Sequence, residues 1–283
     1  VDLSTVQALV MGLAQGLTEF IPVSSSGHLI LVPWLFGWND PVRDAFLDSL
    51  AFSVVLHMGT LLALLVYFWR DWVTLIPAGL ASIRDRRIGD DPDRRLGWLL
   101  IVATIPAVLF GPLLQDTIES HVREAAAVAA MLCVGAAIMW LADRWGTRQR
   151  EMDSMTFPGA LGIGVAQVLA LVPGISRSGV SISAGLFLGL NREAAARFSF
   201  LMATPVVAGA GVWEARKILT GEAGASPELK LIVIGFVVAA LSGLLAIRFM
   251  LEFLRRQPLT AFIVYRVVAA ILVFVILLAP HGS

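Results

Sequence analysis

The sequence predicts an all-α polytopic membrane protein, with six transmembrane helices and two re-entrant helical hairpins arranged as an inverted repeat. Three observations carry that prediction. Apolar side chains make up 58% of the 283 residues and charged ones 15%, with a mean hydropathy of +0.82. That is too apolar for a water-soluble fold of this length, and helices are the simplest way to satisfy a backbone in lipid. Six stretches reach the roughly 20 apolar residues that cross a bilayer. Two further regions fall short, each consisting of two brief apolar arms around a polar turn.

Taken in order, the first short region has arms at Val6–Phe20 and Leu29–Trp38, separated by Pro22 and the turn Ser24-Ser25-Ser26-Gly27. A span follows at about Ser49–Trp69, then a short interfacial helix at Trp72–Ile83 and a charged loop at Arg84–Arg95. Spans at Leu96–Leu114 and Ala125–Ala142 complete the first half. The second short region has arms at Pro158–Val172 and Val180–Leu190, broken by Pro173-Gly174 and the turn Ser176-Arg177-Ser178-Gly179. Spans at Ala194–Val212, Leu229–Leu251 and Leu259–Ala279 end the chain. Helix, polar turn and short helix is the pattern of a hairpin that enters and leaves by one face; a single kinked span is the alternative. Irregular backbone at that depth requires burial in protein or a wet cavity.

The two broken regions match each other at an offset of 152 residues. Identities fall at Ala8, Leu9, Gly12, Ala14, Gln15, Leu17, Ser24, Ser26, Gly27 and Ile30, without a gap, which argues for internal duplication. One integral membrane domain is therefore expected over residues 1–283, with repeats at about 1–142 and 158–280 and hairpins at about 6–38 and 158–190. Loop charge orients it. One set of loops holds 14 of the 21 Lys and Arg residues, the other five, and Arg177 and Arg266 remain within the apolar segments. The positive-inside rule makes the first set cytoplasmic. Three intervening spans then bring the hairpins in from opposite faces, so that their tips meet near the midplane, as in many transporters.

The rest of the composition is mostly exclusion. Net charge is zero, and no basic tract interleaved with aromatics suggests nucleic acid. Cys133 is the single cysteine, so no internal disulfide forms. Val6–Phe20 lacks a basic leading region and reads poorly as a signal peptide.

The chemistry is expected at the tips. An arginine at membrane depth costs at least ~2.5–3.5 kcal/mol on insertion scales and ordinarily marks a protein interior or a substrate path. Arg177 lies among Gly174, Ser176, Ser178 and Gly179 just ahead of an apolar arm. Glycines, hydroxyls and a bidentate guanidinium at a helix N-terminus suit an anion, phosphate in particular; a structural arginine neutralising carbonyls is the plainer reading. Gln15 and Glu19, four apart, share one helix face. Glu19 suits a divalent cation, an orienting contact to His28 or proton transfer, or else a simple ion pair with Arg177. Ser24, Ser25 and Ser26 are candidate nucleophiles or helix caps, and His28 is a base or itself a phosphoryl acceptor. His57 reads as a packed interior histidine. Arg266 either snorkels outward or helps neutralise the site.

At these residues the chain resembles the bacterial undecaprenyl pyrophosphate phosphatases, also called bacitracin-resistance proteins. One signature, Glu/Gln-x-x-x-Glu leading into Pro-x-Ser-Ser-x-Gly-His, is met by Gln15, Glu19, Pro22, Ser24, Ser25, Gly27 and His28. A second, Pro-Gly-x-Ser-Arg-Ser-x-x-Thr, is met by Pro173, Gly174, Ser176, Arg177 and Ser178, with Ser181 in place of the threonine. Gln15 stands where many members carry a second glutamate. The resemblance extends over nearly the whole chain. It implies hydrolysis of a C55 prenyl pyrophosphate to the monophosphate, recycling the lipid carrier of cell-wall synthesis.

By that resemblance Glu19, Ser25, His28 and Arg177 are catalytic, with Ser25 the preferred nucleophile, His28 its base, and His28 as nucleophile left open. Gln15, Ser24, Ser26, Gly174, Ser176, Ser178 and Ser181 bind substrate. Glu19 holds a divalent cation, Mg or Ca. The protein is expected in the bacterial inner membrane with its site open to the outer face, with the prenyl lipid and membrane lipid as partners and a homodimer admissible. A polyprenyl-phosphate flippase, with or without hydrolysis, is the main alternative; a channel or an intramembrane serine protease fits the acid, imidazole and arginine set less well.

Overall fold

A computed structural model describes residues 2–38, 50–219 and 229–279. Eleven α-helices account for nearly all of the described residues: α1 (Leu3–Phe20), α2 (Ser25–Phe36), α3 (Leu50–Tyr67), α4 (Trp69–Arg84), α5 (Pro92–His121), α6 (Ala125–Trp145), α7 (Phe157–Val168), α8 (Arg177–Phe187), α9 (Arg192–Leu219), α10 (Leu229–Arg256) and α11 (Thr260–Leu278). The only β-pairing among them is an isolated bridge between Arg150 and Leu190. Among the described residues five helices are long and apolar enough to cross a membrane, α5, α6, α9, α10 and α11, or six if the bent pair α3–α4 counts as one span. The chain is thus an all-helical, multi-pass membrane protein. The start of the first expected span, Ser49, lies outside the described residues, as does Arg43.

The α3 and α4 helices meet at a bend of 82°. Beyond it, Val73, Ile76, Leu80 and Ile83 form an exposed apolar stripe along α4, at the helical spacing of a segment that lies along a membrane interface. Its inner side is tied down by an ion pair between Asp71 and Arg197 and by Trp98, which donates its indole N–H to Ser82 at 2.8 Å.

The first arms of the two broken regions pack in similar ways. Helix α1 lies along α10 and helix α7 along α5, and the equivalent glycines Gly12 and Gly164 make both approaches close. A Cβ on Gly12 would stand 2.9 Å from the carbonyl oxygen of Gly235, and one on Gly164 would stand 2.3 Å from that of Ala103. Small residues replace apolar bulk at such crossings because lipid supplies no hydrophobic drive between helices. Helices α3 and α9 pack together, as do α6 and α11. The core is centred on α9, where Phe198, Phe200, Leu201, Met202 and Ala203 are fully buried with Phe20, Leu64, Ile182 and Met250.

The basic loops are more than a solvated surface. Arg95 donates to the carbonyls of Asp153 and Met155, and Arg150 to those of Ser154 and Leu188. Asp143 accepts from Arg192 at 2.6 Å and from the Leu259 amide at 3.2 Å. These contacts fix where α7 begins, α8 ends and α11 starts, and so anchor the second broken region.

Candidate active site

Both breaks end in the same local structure. Ser24 has φ 80° and Ser176 φ 77°, a left-handed region that non-glycine residues rarely adopt. In each case the serine hydroxyl caps the following helix: Ser24 Oγ accepts from the Gly27 amide at 3.2 Å and Ser176 Oγ from the Gly179 amide at 3.1 Å. Each also lies 3.3 Å from the next serine hydroxyl but one, Ser26 and Ser178. The caps draw the turn residues into the first helical turn, so α2 and α8 begin at Ser25 and Arg177, several residues before the arms expected from hydropathy. Arg177, Ser25, His28 and Ser181 therefore project from helix N-termini instead of from loops.

The tips touch through polar groups. The Gly174 amide donates to Ser24 Oγ at 3.1 Å. Glu19, on the last turn of α1, receives Arg177 Nε at 3.2 Å and Nη2 at 3.1 Å on one oxygen. Its other oxygen receives the Ser25 hydroxyl at 2.6 Å and the Gln15 amide at 3.1 Å. Arg177 Nη1 donates to the Ser199 carbonyl at 3.3 Å, and Ser181 bridges the Arg177 carbonyl and the Ser199 hydroxyl at 2.7 and 2.6 Å. Glu19 is 6% exposed and the Arg177 side chain 13%, so this charged pair is desolvated but still reachable.

One expectation is corrected and one alternative is decided. Ser25 donates to Glu19 and not to His28. His28 instead gives Nδ1–H to the Ser24 carbonyl at 2.7 Å, and its Nε2 meets the Tyr265 hydroxyl at 2.6 Å. Arg266 does not snorkel; it takes the other expected place and neutralises the turns that build the site. It is fully buried, and its guanidinium donates to the carbonyls of Pro22, Leu132, Gly174 and Ile175 at 2.5–3.2 Å. Pro22, Gly174 and Ile175 follow the C-terminal ends of the first arms, where orphan carbonyls and the negative end of the dipole collect. One cation thus seals both breaks. Gly135 makes room for it: a Cβ there would stand 1.9 Å from Arg266 Nη2.

Among the expected substrate ligands, Ser24, Ser176, Ser178 and Ser181 are buried: Ser24 joins the two tips through the Gly174 amide, Ser176 and Ser178 brace the second tip, Ser181 ties it to α9, and the Gly174 carbonyl is held by Arg266. Ser25, Ser26, His28 and Arg177 retain exposure. His57 donates Nδ1–H to the Ser53 carbonyl at 2.8 Å, as a packed histidine does. Sequence reasoning missed Ser199 and the role of Tyr265. The only signal for the latter was its place beside an arginine in an apolar run.

No group of three or more His, Cys, Asp and Glu residues gathers for a metal ion among the described residues. Oxygen donors do gather at Glu19. The Gln15 carbonyl oxygen is buried without a protein hydrogen-bond partner, beside the carboxylate and the Ser25 hydroxyl. One carboxylate, one amide oxygen and a hydroxyl fit a hard cation that takes its other ligands from water and phosphate.

Broken helices meeting inside a polytopic membrane protein, with a guanidinium, a carboxylate and a hydroxyl at the junction, define a membrane protein built to receive a phosphorylated ligand. The comparisons agree. A family model described as Bacitracin resistance protein BacA matches residues 8–272, and the chain belongs to that family. Relatives called undecaprenyl-diphosphatase include one from Desulforudis audaxviator, 43% identical over 96% of this chain and 97% of that protein. Those of Thermomicrobium roseum and Rubrobacter xylanophilus are 43% and 44% identical, over 95% and 98% of this chain and 97% and 99% of theirs.

Proposed function

We infer that this chain is an undecaprenyl-diphosphatase, which hydrolyses a C55 prenyl pyrophosphate to the monophosphate and inorganic phosphate and so returns a lipid carrier to cell-wall synthesis. The observation that carries the reading is the contact across the tips, Arg177 of one against Glu19 of the other, with the Ser25 hydroxyl on the second oxygen of that carboxylate. Arg177 offers a planar fork to the terminal phosphate. Ser25 attacks the terminal phosphorus and passes its proton to Glu19, to which it already donates; the anhydride bond breaks towards the prenyl phosphate. Water then hydrolyses the seryl phosphate, releasing inorganic phosphate. The Ser25 hydroxyl already donates to Glu19 at 2.6 Å, which favours Ser25 over His28 as the nucleophile, and we assign to His28 the activation of that water, with the Tyr265 hydroxyl leaving Nε2 for that step. Glu19, the Gln15 carbonyl and Ser25 would hold a divalent cation, Mg or Ca, which when bound neutralises phosphate charge. Positioning and charge neutralisation are most of what phosphoryl transfer asks of a protein.

The same reading takes the α1–α2 and α7–α8 pairs as re-entrant hairpins of an inverted repeat, with α3 as the sixth span. Helices of 12 and 11 residues, α2 and α8, are too short for a bilayer core of about 30 Å. By loop charge the site opens to the outer face of a bacterial inner membrane. The exchange of partners, α1 on α10 and α7 on α5, also suits a protein that moves its lipid between faces, and flipping is the second reading.

The deciding experiment is phosphate release from C55 prenyl pyrophosphate by the purified protein in detergent, with and without divalent cation, beside Arg177→Ala and His28→Ala. Cation-dependent release lost in both variants is expected. No release by folded wild type across several cations and pH values would transfer the case to the lipid carrier.

A further inference from the structure

We infer that Tyr265 is a positioning residue for His28, and that its hydroxyl and ring together set the orientation in which the imidazole works; this rests on the reading of His28 as an acid–base group of the site. The two residues are 237 apart in sequence, yet Tyr265 Oη lies 2.6 Å from His28 Nε2, and their rings stack at 5.7 Å between centroids and 16° between planes. On the other side, Nδ1 lies 2.7 Å from the Ser24 carbonyl. A carbonyl only accepts, so Nδ1 carries the proton, Nε2 carries the lone pair, and the Tyr265 hydroxyl donates to it. The imidazole is held at both nitrogens and along one face.

The neighbour of Tyr265 makes this hold rigid. Arg266 grips the carbonyl of Pro22 at 3.2 Å, two residues before Ser24. Consecutive residues of α11 therefore fix the turn and the histidine that follows it. Tyr265 is itself 46% exposed, so its hydroxyl has room to turn away from Nε2 when that nitrogen takes a proton. A packing tyrosine needs neither the donor geometry nor that access. Partners that fix the orientation of a working histidine are commonly worth ~10- to 100-fold in function at metal sites, and the same scale is expected for Tyr265, which holds the ring by its face and by Nε2.

The test uses the full-length protein in detergent and compares Tyr265→Phe, which keeps the stacked ring, with Tyr265→Leu, which removes it, and with His28→Ala. Steady-state kinetics on C55 prenyl pyrophosphate are read beside carbethoxylation of each histidine by diethyl pyrocarbonate, mapped by mass spectrometry. Tyr265→Phe is expected to lower kcat by about 10- to 100-fold with KM nearly unchanged and to speed modification of His28, leaving His57 as it was; Tyr265→Leu is expected to go further in both. Wild-type kcat in Tyr265→Phe while His28→Ala is inactive would overturn the inference and leave the phosphatase reading intact. Wild-type kcat in His28→Ala would overturn the role given to His28, and the inference with it. A slower Tyr265→Phe whose His28 is modified at the wild-type rate would also overturn it, since the loss would not run through the imidazole.

Discussion

Ser24 at φ 80° and Ser176 at φ 77° cap their helices through the same bond to the third following glycine amide, yet the residues around them differ. Beside Ser24 stand Glu19, Ser25 and His28; at the equivalent places beside Ser176 stand Leu171, Arg177 and Val180. The backbone device was duplicated and the chemistry was divided, an acid, a hydroxyl and an imidazole in one copy and a cation in the other. Neither tip is a site alone, because Glu19 without Arg177 would be an unpaired carboxylate in a dry interior. A second comparison sharpens the first. Arg177 and Arg266 are both arginines inside apolar segments, but Arg177 faces a carboxylate and is partly exposed, whereas Arg266 faces only protein carbonyls and a thioether and is sealed.

Exchanging the arginines for methionine is expected to separate them most. Arg266→Met leaves four buried carbonyls short of a donor, and a loss of about 3–5 kcal/mol in unfolding free energy is expected, read as a large fall in Tm in detergent. Arg177→Met strips Glu19 of its partner and is expected to lower Tm too, by less than Arg266→Met because the pair is partly exposed, while phosphate release falls by about 10³-fold or more. Equal Tm values for the two variants would break the distinction. Arg177→Lys should recover only a small part of the activity, because a point charge does not reproduce a bidentate fork.

Next in size is Gly135→Ala. Its methyl group competes with Arg266 Nη2 for the same space, and overpacking of about 1–3 kcal/mol is expected, with Tm as the measurement. Glu19→Gln keeps the shape and removes the charge. It should raise the apparent dissociation constant for divalent cation by about tenfold or more, by analogy with other metal sites, followed by calorimetry; an unchanged cation affinity would remove Glu19 from the cation site. The smallest effect belongs to the turns themselves. Glycine relieves a positive φ but loses the hydroxyl cap, which costs a few tenths of a kcal/mol. Ser176→Gly is therefore expected to be near neutral in Tm, and Ser24→Gly measurably worse, since Ser24 Oγ also accepts from Gly174 across the tips.

The polar residues that matter were legible because they interrupt apolar runs: Glu19, Ser25, His28 and Arg177 each stand out where a membrane segment has no ordinary use for them. Composition and the length of apolar runs settled the helical, multi-pass class, and the 152-residue self-match pointed to two equivalent breaks. Their partners were not legible. By family resemblance Ser25 was expected against His28, but Glu19, at the end of the preceding helix, comes within 2.6 Å of its hydroxyl. Ser24, Ser176, Ser178 and Ser181, expected as ligands for phosphate, also serve as caps and struts of the tips. Helix N-termini consume hydroxyls as readily as phosphates attract them.

By itself, then, the sequence determined the class of protein, the location of both breaks and the inventory of reactive groups, because hydropathy, period and proline or glycine punctuation are local properties of a chain. Only the tertiary structure decided which group meets which. Hydrogen bonds depend on tenths of an ångström between helices that lie 158 and 237 residues apart, Glu19 with Arg177 and His28 with Tyr265, and no local pattern encodes that distance. The same reason assigns the two arginines their separate places: both carry one charge, and only the carbonyls or carboxylate brought to them make one a fastener and the other a binding group.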